Sequence, residues 1–433
     1  MDVTIHPSEL HGTVEAVSSK SEAHRLLIVA ALCAGTTNLD CRTTSKDIDA
    51  TADCLRALGA RVARTRTGFR VVPIPGTPET DNLRQATADA VLDVGESGST
   101  LRFMLPLVAA LGRGASITGH GRLAERPLSP LYEELAAHGA TLSPQGAFPL
   151  DVSSTVRPGR YTLPGNVSSQ YVSGLLMAAP VMGGPVEVVV QKPVESRPYI
   201  DMTVAALATF SVHVACESTA DALVYTVGPD APVSPGTVTV GGDWSNSAFW
   251  LAAGAFGEKP ITVSGLDLAS TQGDRAIMAA LALLGAAVTR VHGRVTVEKD
   301  DLRARTLDVR SCPDLVPPLA AVAALCPGET RVTGAARLRL KESDRLQTVS
   351  AALDAMGADV TPTDDGLLIR GVGQLAGGTV DAANDHRIAM MAAIAATQAA
   401  GPTTILGAEC VQKSYPGFFD DFRALGGQLS IAS

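Results

Sequence analysis

A sixfold internal repeat constrains the fold of this 433-residue chain more than any other feature. Each copy has a polar loop, an apolar helix running to a glycine, a second helix, a small-residue corner, and alternating apolar residues typical of strands. The glycines after the first helices are Gly35, Gly112, Gly183, Gly257, Gly328 and Gly401. The corners lie at residues 58–60, 138–140, 210–212, 284–286, 356–358 and 425–427. Corners recur every ~70 to 80 residues, which is too long for a solenoid repeat and suits a small βα subdomain.

The repeat predicts an α/β fold of two domains with three copies each. Proline and glycine cluster at residues 228–242, which favours a domain boundary between the third and fourth copies. Taken singly, an apolar helix followed by a Leu-Gly-Ala corner is common in α/β proteins. Six copies in the same order favour a true repeat.

The composition excludes several classes of protein. With 46% hydrophobic and 18% charged residues, the chain is not of the disordered class, and its length allows an extensive core. The apolar run at residues 316–326 is shorter than the ~20 residues that a membrane span needs. The N-terminus shows no secretory signal, so we expect a cytoplasmic protein without a membrane partner.

Charge and cysteine content set two more limits. A net charge of −9 disfavours a nucleic-acid partner, so an anionic ligand must be bound by a local group of cations. The seven cysteines are scattered and never spaced CxxC, which indicates neither a zinc site nor a disulfide framework. We expect buried, reduced thiols.

Polar and cationic residues recur where the first helices begin. The stretches concerned are residues 18–25, 95–102, 168–170 and 385–387. A helix N-terminus offers unpaired N–H groups and a partial positive charge, both of which attract phosphate and carboxylate. Each stretch alone is typical of an ordinary helix cap. Their recurrence in order predicts an anion-binding pocket at the junction of the two domains.

Three further clusters add cations outside these helix starts. They are Arg122 with Arg126, Lys341 with Glu342 and Arg345, and Lys413. Lys341 and Arg345 are four residues apart and share a helix face. On its own the sequence KESDR is typical of a solvated helix face. The combination along the chain favours a site.

These motifs closely resemble the enolpyruvyl transferase family over essentially the whole chain. They are SKSEAHR at 19–25, GESGSTLR at 95–102, LAERPL at 123–128, SSQYVSGLLMAAP at 168–180, ESRPYID at 195–201, PDLVPPLA at 313–320, LKESDRL at 340–346, NDHRIAM at 384–390 and QKSYPGFF at 412–419. The resemblance implies a two-domain inside-out α/β barrel with three βαβαββ repeats per domain and an active site in a hinged interdomain cleft. It also places the N-terminal segment in the second domain, so we predict domains of residues 13–235 and of residues 1–12 plus 236–433.

The resemblance further implies transfer of the enolpyruvyl group of phosphoenolpyruvate to the 5-hydroxyl of 3-phosphoshikimate, with release of phosphate, in the shikimate pathway. No metal or organic cofactor is expected, and we expect a monomer whose partners are these two small substrates. The chemistry fits the residues, because both substrates are anionic and need several fixed cations.

The site residues implied by the resemblance fall into three groups. Binding of 3-phosphoshikimate is assigned to Lys20, Ser21, Arg25, Ser168, Ser169, Gln170, Ser196, Tyr199, Asp314 and Lys341. Binding of phosphoenolpyruvate is assigned to Lys20, Gly98, Arg126, Gln170, Arg345, Arg387 and Lys413. The addition needs a base for the hydroxyl, for which we predict Asp314, and an acid for the methylene carbon. We predict Glu342 as the acid, with Lys20 as the competing candidate.

Three other functions compete with this interpretation. A sister enzyme transfers enolpyruvate to UDP-N-acetylglucosamine, but it usually carries a cysteine in the loop matching residues 112–126, and this chain has none there. A repeat scaffold that binds partners through its sheets would not require cations at helix starts. An enzyme acting on nucleic-acid ends is disfavoured by the charge and by the lack of aromatic platforms.

Overall fold

The computed structural model describes residues 1–75 and 90–432, which form two compact units. The unit that we call the N/C unit comprises Met1–Ser19 and Gly241–Ser433. The other, called the middle unit, comprises Lys20–Val240. Each unit has its own hydrophobic core.

The described residues contain twelve α-helices, two for each copy of the repeat. They are α1 (Lys20–Leu32), α2 (Lys46–Ala57), α3 (Gly98–Leu111), α4 (Leu131–Ala137), α5 (Ser169–Ala178), α6 (Arg197–Thr209), α7 (Trp244–Phe256), α8 (Ile277–Leu284), α9 (Val316–Leu325), α10 (Arg345–Asp354), α11 (His386–Ala396) and α12 (Phe418–Ala424). Local chemistry sets their ends. At α3, for example, the Ser97 side chain caps the helix by accepting from the Thr100 amide, and Gly112 ends it in the left-handed conformation.

The strands that the structure describes are short. They are β1 (Asp2–His6), β2 (Gly12–Glu15), β3 (Thr37–Asp40), β4 (Arg61–Arg64), β5 (Gly68–Val72), β6 (Ala90–Asp93), β7 (Ala115–Thr118), β8 (Thr141–Leu142), β9 (Leu150–Ser153), β10 (Arg160–Pro164), β11 (Val186–Gln191), β12 (Val214–Ser218), β13 (Ala222–Val227), β14 (Thr237–Thr239), β15 (Ile261–Ser264), β16 (Ala287–Val291), β17 (Arg294–Glu298), β18 (Thr306–Asp308), β19 (Glu329–Thr333), β20 (Asp359–Pro362), β21 (Leu367–Arg370), β22 (Gly378–Asp381), β23 (Thr403–Leu406) and β24 (Gln428–Ala432).

These strands form six four-stranded sheets, three in each unit, with one shared topology. The middle unit has the orders β14-β3-β5-β4, β6-β7-β9-β8 and β10-β11-β13-β12. The N/C unit has the orders β2-β15-β17-β16, β18-β19-β21-β20 and β22-β23-β1-β24. In every sheet the first two strands pair in parallel and the remaining pairs are antiparallel. The repeat in the sequence therefore corresponds to a structural unit.

Strand pairing differs from the predicted domain boundaries at both places where the chain passes between the units. β2 was predicted in the middle domain, but Thr13 and Val14 pair with Thr262 and Val263 of β15 in the N/C unit. β14 was predicted in the other domain, but it pairs in parallel with β3 of the middle unit. The first and fourth repeats therefore exchange their first strands, since β2 precedes α1 and β14 precedes α7. Both observed boundaries lie nearer to the following helix than the predicted ones.

The first helix of each repeat is enclosed within its unit. Every residue of α11 is buried, and α11 contacts α7 and α9 in the core of the N/C unit. The same residue types fill the middle unit, where α3 lies against α5. Strands such as β9 alternate buried and exposed side chains, so one face of the sheet covers the helices. Helices inside and sheets outside are the predicted inside-out arrangement.

All six corners adopt the left-handed backbone conformation that the repeat predicts for glycine. Five of them use Gly59, Gly139, Gly285, Gly357 and Gly426, with φ between 88° and 113°. The third copy has Ser211, which adopts a φ of 64° without the freedom of glycine. The weakest copy in the sequence therefore keeps the geometry at some conformational cost.

The cysteines are free, and six of the seven are buried as expected. Cys216 is the exception, since its side chain on β12 is exposed. Burial raises the pKa of the Cys312 thiol to about 12 and that of Cys326 to about 11. These buried thiols are protonated and unreactive at neutral pH.

Candidate active site

The N/C unit gathers predicted site residues into one charged cluster around Asp314, which lies in the turn that leads into α9. Its Oδ1 accepts a hydrogen bond from Nη1 of Arg345 at 2.8 Å and lies 3.4 Å from Nζ of Lys341. Its Oδ2 lies 3.2 Å from Nη2 of Arg387. One carboxylate therefore contacts three cations, which come from α10, α11 and the segment before α10.

These cations control the ionisation of Asp314. Burial alone would raise the pKa of its carboxyl, but Arg387, Lys341 and Arg345 together hold that pKa well below its ordinary value. The carboxylate is therefore ionised and, in this arrangement, a weak base. Its basicity increases when an anion takes over part of the surrounding positive charge.

Arg345 shares its guanidinium among three carboxylates. Nε and Nη2 lie 2.7 and 3.2 Å from the two oxygens of Asp385, Nη2 donates to Glu342 at 2.6 Å, and Nη1 binds Asp314. The Arg345 side chain is only 1% exposed. Burial alone would lower the pKa of Arg345, but the three carboxylates, led by Asp385, raise it above its ordinary value. The predicted acid Glu342 and the predicted base Asp314 thus contact the same guanidinium.

Arg387 and Lys413 meet at the beginning of α11. The carboxylate of Asp385 caps this helix by accepting from the Arg387 amide at 3.0 Å. Nζ of Lys413 donates to the carbonyl of Asn384 at 2.7 Å. Both cations are largely buried. The three cations assigned to phosphoenolpyruvate in this unit therefore converge on residues 384–387.

A second buried carboxyl, Asp274, lies in the electrostatic field of the cluster. It is 1% exposed and accepts a hydrogen bond from the Ser245 hydroxyl at the start of α7. Burial, and then the charge of Asp314, raise the pKa of Asp274 to about 6. Two neighbouring carboxyls with pKa values displaced in opposite directions are typical of catalytic sites.

In the middle unit, Lys20 is the first residue of α1. Its Nζ lies 3.0 Å from Oδ2 of Asp47 near the start of α2, and both side chains are mostly buried. The pair fixes the ammonium group at the helix start, where the resemblance assigns it to both substrates.

Arg25 is buried one turn further along α1. Its Nε donates to Thr203 at 2.7 Å, and its Nη groups bind Ser173 and the carbonyls of Ser21 and Tyr199. Burial lowers the pKa of Arg25 to about 10. The guanidinium joins α1, α5 and α6, so it positions the backbone of two other predicted residues.

The beginnings of α3 and α5 face each other. Ser168 caps α5 and Ser169 is its buried first residue. The side-chain amide of Gln170 accepts a hydrogen bond from Nη1 of Arg102 at 3.0 Å through its oxygen and donates one to the Ser99 hydroxyl at 2.8 Å through its nitrogen. The polar ends of these two helices are thereby held in a fixed relation.

Gly98 contacts Arg126 at the first residue of α3. A Cβ built on Gly98 would lie 2.5 to 2.7 Å from three atoms of the Arg126 guanidinium. A contact this short is not possible, so the guanidinium lies against the helix start only because residue 98 has no side chain. The structure brings these two residues together as the prediction requires.

A series of hydrogen-bonded side chains holds the loop before Gly98 in place. Nδ1 of His24 on α1 lies 2.7 Å from the Thr51 hydroxyl on α2, which lies 2.8 Å from that of Thr100. The Thr100 hydroxyl donates to Ser97 at 2.8 Å. Burial, with the charges of Lys20 and Arg25, lowers the pKa of His24 well below its ordinary value, so the imidazole is neutral. These hydrogen bonds tie α1 and α2 to the start of α3.

The remaining predicted residues lie at the start of α6. Ser196 immediately precedes this helix, has a φ of 52° and is 3% exposed. Tyr199, in the first turn, is half-buried and offers its carbonyl to Arg25. A non-glycine residue in the left-handed region is uncommon and typical of functional loops.

Sequence reasoning did not assign several residues that the structure places in these clusters. They are Asp47, Arg102, Ser173, Thr203, Ser245, Asp274 and Asp385. Two had usable signals. Arg102 follows GESGST directly, and Asp385 precedes Arg387 in a helix-capping position. The others become visible only when distant helices meet.

Within residues 1–75 and 90–432, no group of three or more His, Cys, Asp and Glu side chains is arranged to hold a metal ion. In the same part of the chain, no helix has the length and apolar character needed to cross a bilayer.

Comparisons with known proteins decide the family. The family model of EPSP synthase (3-phosphoshikimate 1-carboxyvinyltransferase) matches residues 5–422. The chain belongs to the EPSP synthase family. A 3-phosphoshikimate 1-carboxyvinyltransferase of Clostridium kluyveri is 38% identical over 428 residues, which cover 99% of this chain and 98% of the relative. That of Clostridium acetobutylicum is 36% identical over 431 residues, covering 99% and 98%.

Solved structures agree with this membership of the EPSP synthase family. The EPSP synthase of Acinetobacter baumannii superposes with a TM-score of 0.79 at 26% identity, covering 99% of this chain and all of that one. An enolpyruvyl transferase of Streptomyces tendae, at 18% identity, shares the fold with a TM-score of 0.75. The predicted family and α/β fold are confirmed, and the predicted reaction is the one that the family is named for.

Proposed function

We propose that the cluster around Asp314 in the N/C unit and the residues at the starts of α1, α3, α5 and α6 in the middle unit serve one reaction. This reaction is the transfer of the 1-carboxyvinyl group of phosphoenolpyruvate to the 5-hydroxyl of 3-phosphoshikimate. Membership of the EPSP synthase family supports this reaction and its place in the shikimate pathway. The observation that carries the proposal is the grouping of Asp314 with Lys341, Arg345 and Arg387, since it joins a carboxylate base to fixed cations.

Most residues assigned to 3-phosphoshikimate lie in the middle unit, and Asp314 and Lys341 lie in the N/C unit. Lys20, Ser21 and the starts of α5 and α6 provide an ammonium group, hydroxyls and helix N-termini, which suit a phosphate. Arg25, which is assigned to the same substrate, is 2% exposed and binds Ser173 and Thr203. We propose that Arg25 positions the carbonyls of Ser21 and Tyr199 and so shapes the site.

The cations assigned to phosphoenolpyruvate belong to both units. Arg345, Arg387 and Lys413 of the N/C unit, together with Arg126 beside Gly98, provide the positive charge for its carboxylate and phosphate. Gln170, which is also assigned to phosphoenolpyruvate, lies at the start of α5 and donates to Ser99 at the start of α3. The predicted closing of a cleft between the domains stays a prediction.

In the addition step, Asp314 takes the proton from the 5-hydroxyl of 3-phosphoshikimate, and the oxygen of this hydroxyl bonds to C2 of phosphoenolpyruvate. Glu342 protonates the methylene carbon, which gives a tetrahedral intermediate. In the elimination step the methyl group returns a proton, the bond from C2 to the phosphate oxygen breaks, and phosphate leaves. The arginines stabilise the negative charge throughout. Phosphoenolpyruvate carries its own leaving group and no net oxidation occurs, so this chemistry needs no cofactor.

Lys20 remains the competing acid, and hydrogen exchange separates the two candidates. In D₂O, deuterium enters the methylene group of phosphoenolpyruvate only if the carbon is protonated and then deprotonated. We expect Glu342→Gln to abolish this exchange and Lys20→Met to slow it through weaker binding. The opposite ranking would assign the acid to Lys20.

The activity itself is tested by phosphate release. We expect release only when 3-phosphoshikimate and phosphoenolpyruvate are supplied together. Release with UDP-N-acetylglucosamine in place of 3-phosphoshikimate would overturn the proposal.

We also propose that the protein acts as a cytoplasmic monomer that binds neither nucleic acid nor membranes. A net charge of −9 supports the exclusion of nucleic acid. Large exposed apolar side chains such as Val91 on β6 and Leu283 on α8 lie on different elements. Light scattering checks the oligomeric state, and a stable dimer at micromolar concentration would contradict it.

A further inference from the structure

The buried carboxylate of Asp385 contacts both arginines that the N/C unit offers to phosphoenolpyruvate. It binds the Arg345 side chain through both of its oxygens, at 2.7 and 3.2 Å. It also accepts from the amide of Arg387, at 3.0 Å, as the cap of α11. Asp385 itself is 0% exposed, so no substrate atom can reach it.

The three carboxylates on Arg345 differ in burial, and this difference separates their roles. The side chains of Asp314 and Glu342 are 14% and 17% exposed, whereas that of Asp385 is fully buried. A partly exposed carboxylate can yield its place to an incoming anion. A buried one that makes several hydrogen bonds cannot, because leaving would strand its charge.

Asp385 is itself held in one orientation. The Ser343 hydroxyl donates to its Oδ2 at 3.0 Å, so this oxygen accepts from both Ser343 and Arg345. The other oxygen accepts from the Arg387 amide and from Nη2 of Arg345. With both oxygens used, the carboxylate has a single orientation that satisfies all four donors.

We infer that Asp385 is a positioning residue for phosphoenolpyruvate. It fixes the plane of the Arg345 guanidinium and the start of α11, and through that helix start the placement of Arg387 and Lys413. Its charge also keeps Arg345 neutralised on the buried side, so that the guanidinium is stable when substrate displaces the other carboxylates. The inference rests on the proposed function, which assigns these cations to phosphoenolpyruvate.

The variant Asp385→Asn tests this role, because it keeps the size of the side chain but replaces one acceptor oxygen with a donor. We expect KM for phosphoenolpyruvate to rise by at least about tenfold, as hydrogen bonds to charged groups are strong. KM for 3-phosphoshikimate should change less than about threefold, since the hydrogen bonds of the Asp385 carboxylate go to Ser343, Arg345 and Arg387, which are not assigned to that substrate. Asp385→Glu should not restore binding, because a longer side chain cannot keep the same plane.

A merely structural role would give another result. It would lower the fraction of folded enzyme, and hence kcat, and leave both KM values unchanged. The matched control is Asp354→Asn at the other end of α10, which changes a carboxylate that accepts from the Ser350 hydroxyl and the Val360 amide, both at 3.2 Å. We expect this control to lose stability without a change in KM for phosphoenolpyruvate.

Ser343→Ala provides a milder test if Asp385→Asn does not fold. It removes only the hydroxyl that holds Asp385, and we expect a smaller rise in the same KM. An unchanged KM for phosphoenolpyruvate in both variants, or an equal rise in both KM values, would overturn the inference. Turnover by the parent enzyme is measured in parallel, and its absence would refute the proposed function instead.

Discussion

Oδ1 of Asp314 lies 2.8 Å from Nη1 of Arg345, so the predicted catalytic base is bound to a cation predicted to bind phosphoenolpyruvate. The same carboxylate contacts Lys341 and Arg387. An anionic substrate must therefore compete with Asp314 for positive charge. This competition links substrate binding to the strength of the base.

The first prediction concerns Asp314→Asn. Turnover should fall by at least about 100-fold because the base is lost. The affinity for phosphoenolpyruvate should rise, by about tenfold, because one competing charge is removed from the cations. Calorimetry measures the affinity, with Asp359→Asn as a control that removes one charge from an exposed pair with Arg370. Weaker binding by Asp314→Asn would show that its carboxylate does not compete with substrate.

The second prediction concerns Gly98→Ala. The new methyl group would overlap the Arg126 guanidinium, which must move away from the helix start. Since displacements of about 1 Å can cost up to 100-fold, we expect KM for phosphoenolpyruvate to rise at least about tenfold. Gly114→Ala is the matched control, because a Cβ there meets nothing within 4 Å. An unchanged KM for phosphoenolpyruvate in Gly98→Ala would show that the Arg126 guanidinium can move away from the methyl group without weakening substrate binding.

The third prediction concerns the pH dependence of stability through Asp274. Burial raises its pKa from 3.8 to about 6, so the protonated form is favoured in the folded state. Its contribution to stability is present below pH ~4 and is lost as the pH rises through ~6. Asn stays neutral, so Asp274→Asn should gain stability relative to the parent as the pH increases from 4.5 to 7.5, by roughly 2 kcal/mol. Thermal melts across this range check it, and a constant difference would contradict it.

The fourth prediction concerns the corner of the third repeat. Ser211 has a φ of 64°, where glycine is favoured, so Ser211→Gly should raise the free energy of unfolding by about 1 kcal/mol. The reverse change, Gly59→Ser, should lower it by a similar amount, since a Cβ there meets only the Pro75 ring at 3.5 Å. Urea unfolding measures both. A loss of stability in Ser211→Gly would show that its hydroxyl matters more than its backbone.

Much of the fold was predictable because its signals are local. A helix cap such as Ser97 and a corner such as Gly59 act within a few residues, and they recur in each repeat. The predicted helix face shared by Lys341 and Arg345 was wrong, because α10 begins at Arg345 and Lys341 precedes it in extended backbone. The two cations are neighbours because both contact Asp314. The motif residues were predictable only as a set, since Gly98 or Lys413 alone is uninformative.

The ion-pair partners within each cluster were not predictable in the same way. Asp47 and Thr203 have no motif of their own and acquire a role only because α2 and α6 bring them to α1. The depressed pKa of Asp314 likewise arises from cations on other elements. Such contacts depend on which helices meet, and residue spacing does not encode that.

The six repeats, their helices and their corners could be predicted from the sequence, because caps, apolar periodicity and left-handed glycines are properties of short segments. Which strand completes which sheet became known from the folded structure. β2 and β14 exchange places between the two units, and β1 from the N-terminus pairs with β23 and β24 near the other end of the chain. Backbone hydrogen bonds are alike for every sequence, so the choice among distant strands is made by the burial of whole faces and not by any local signal.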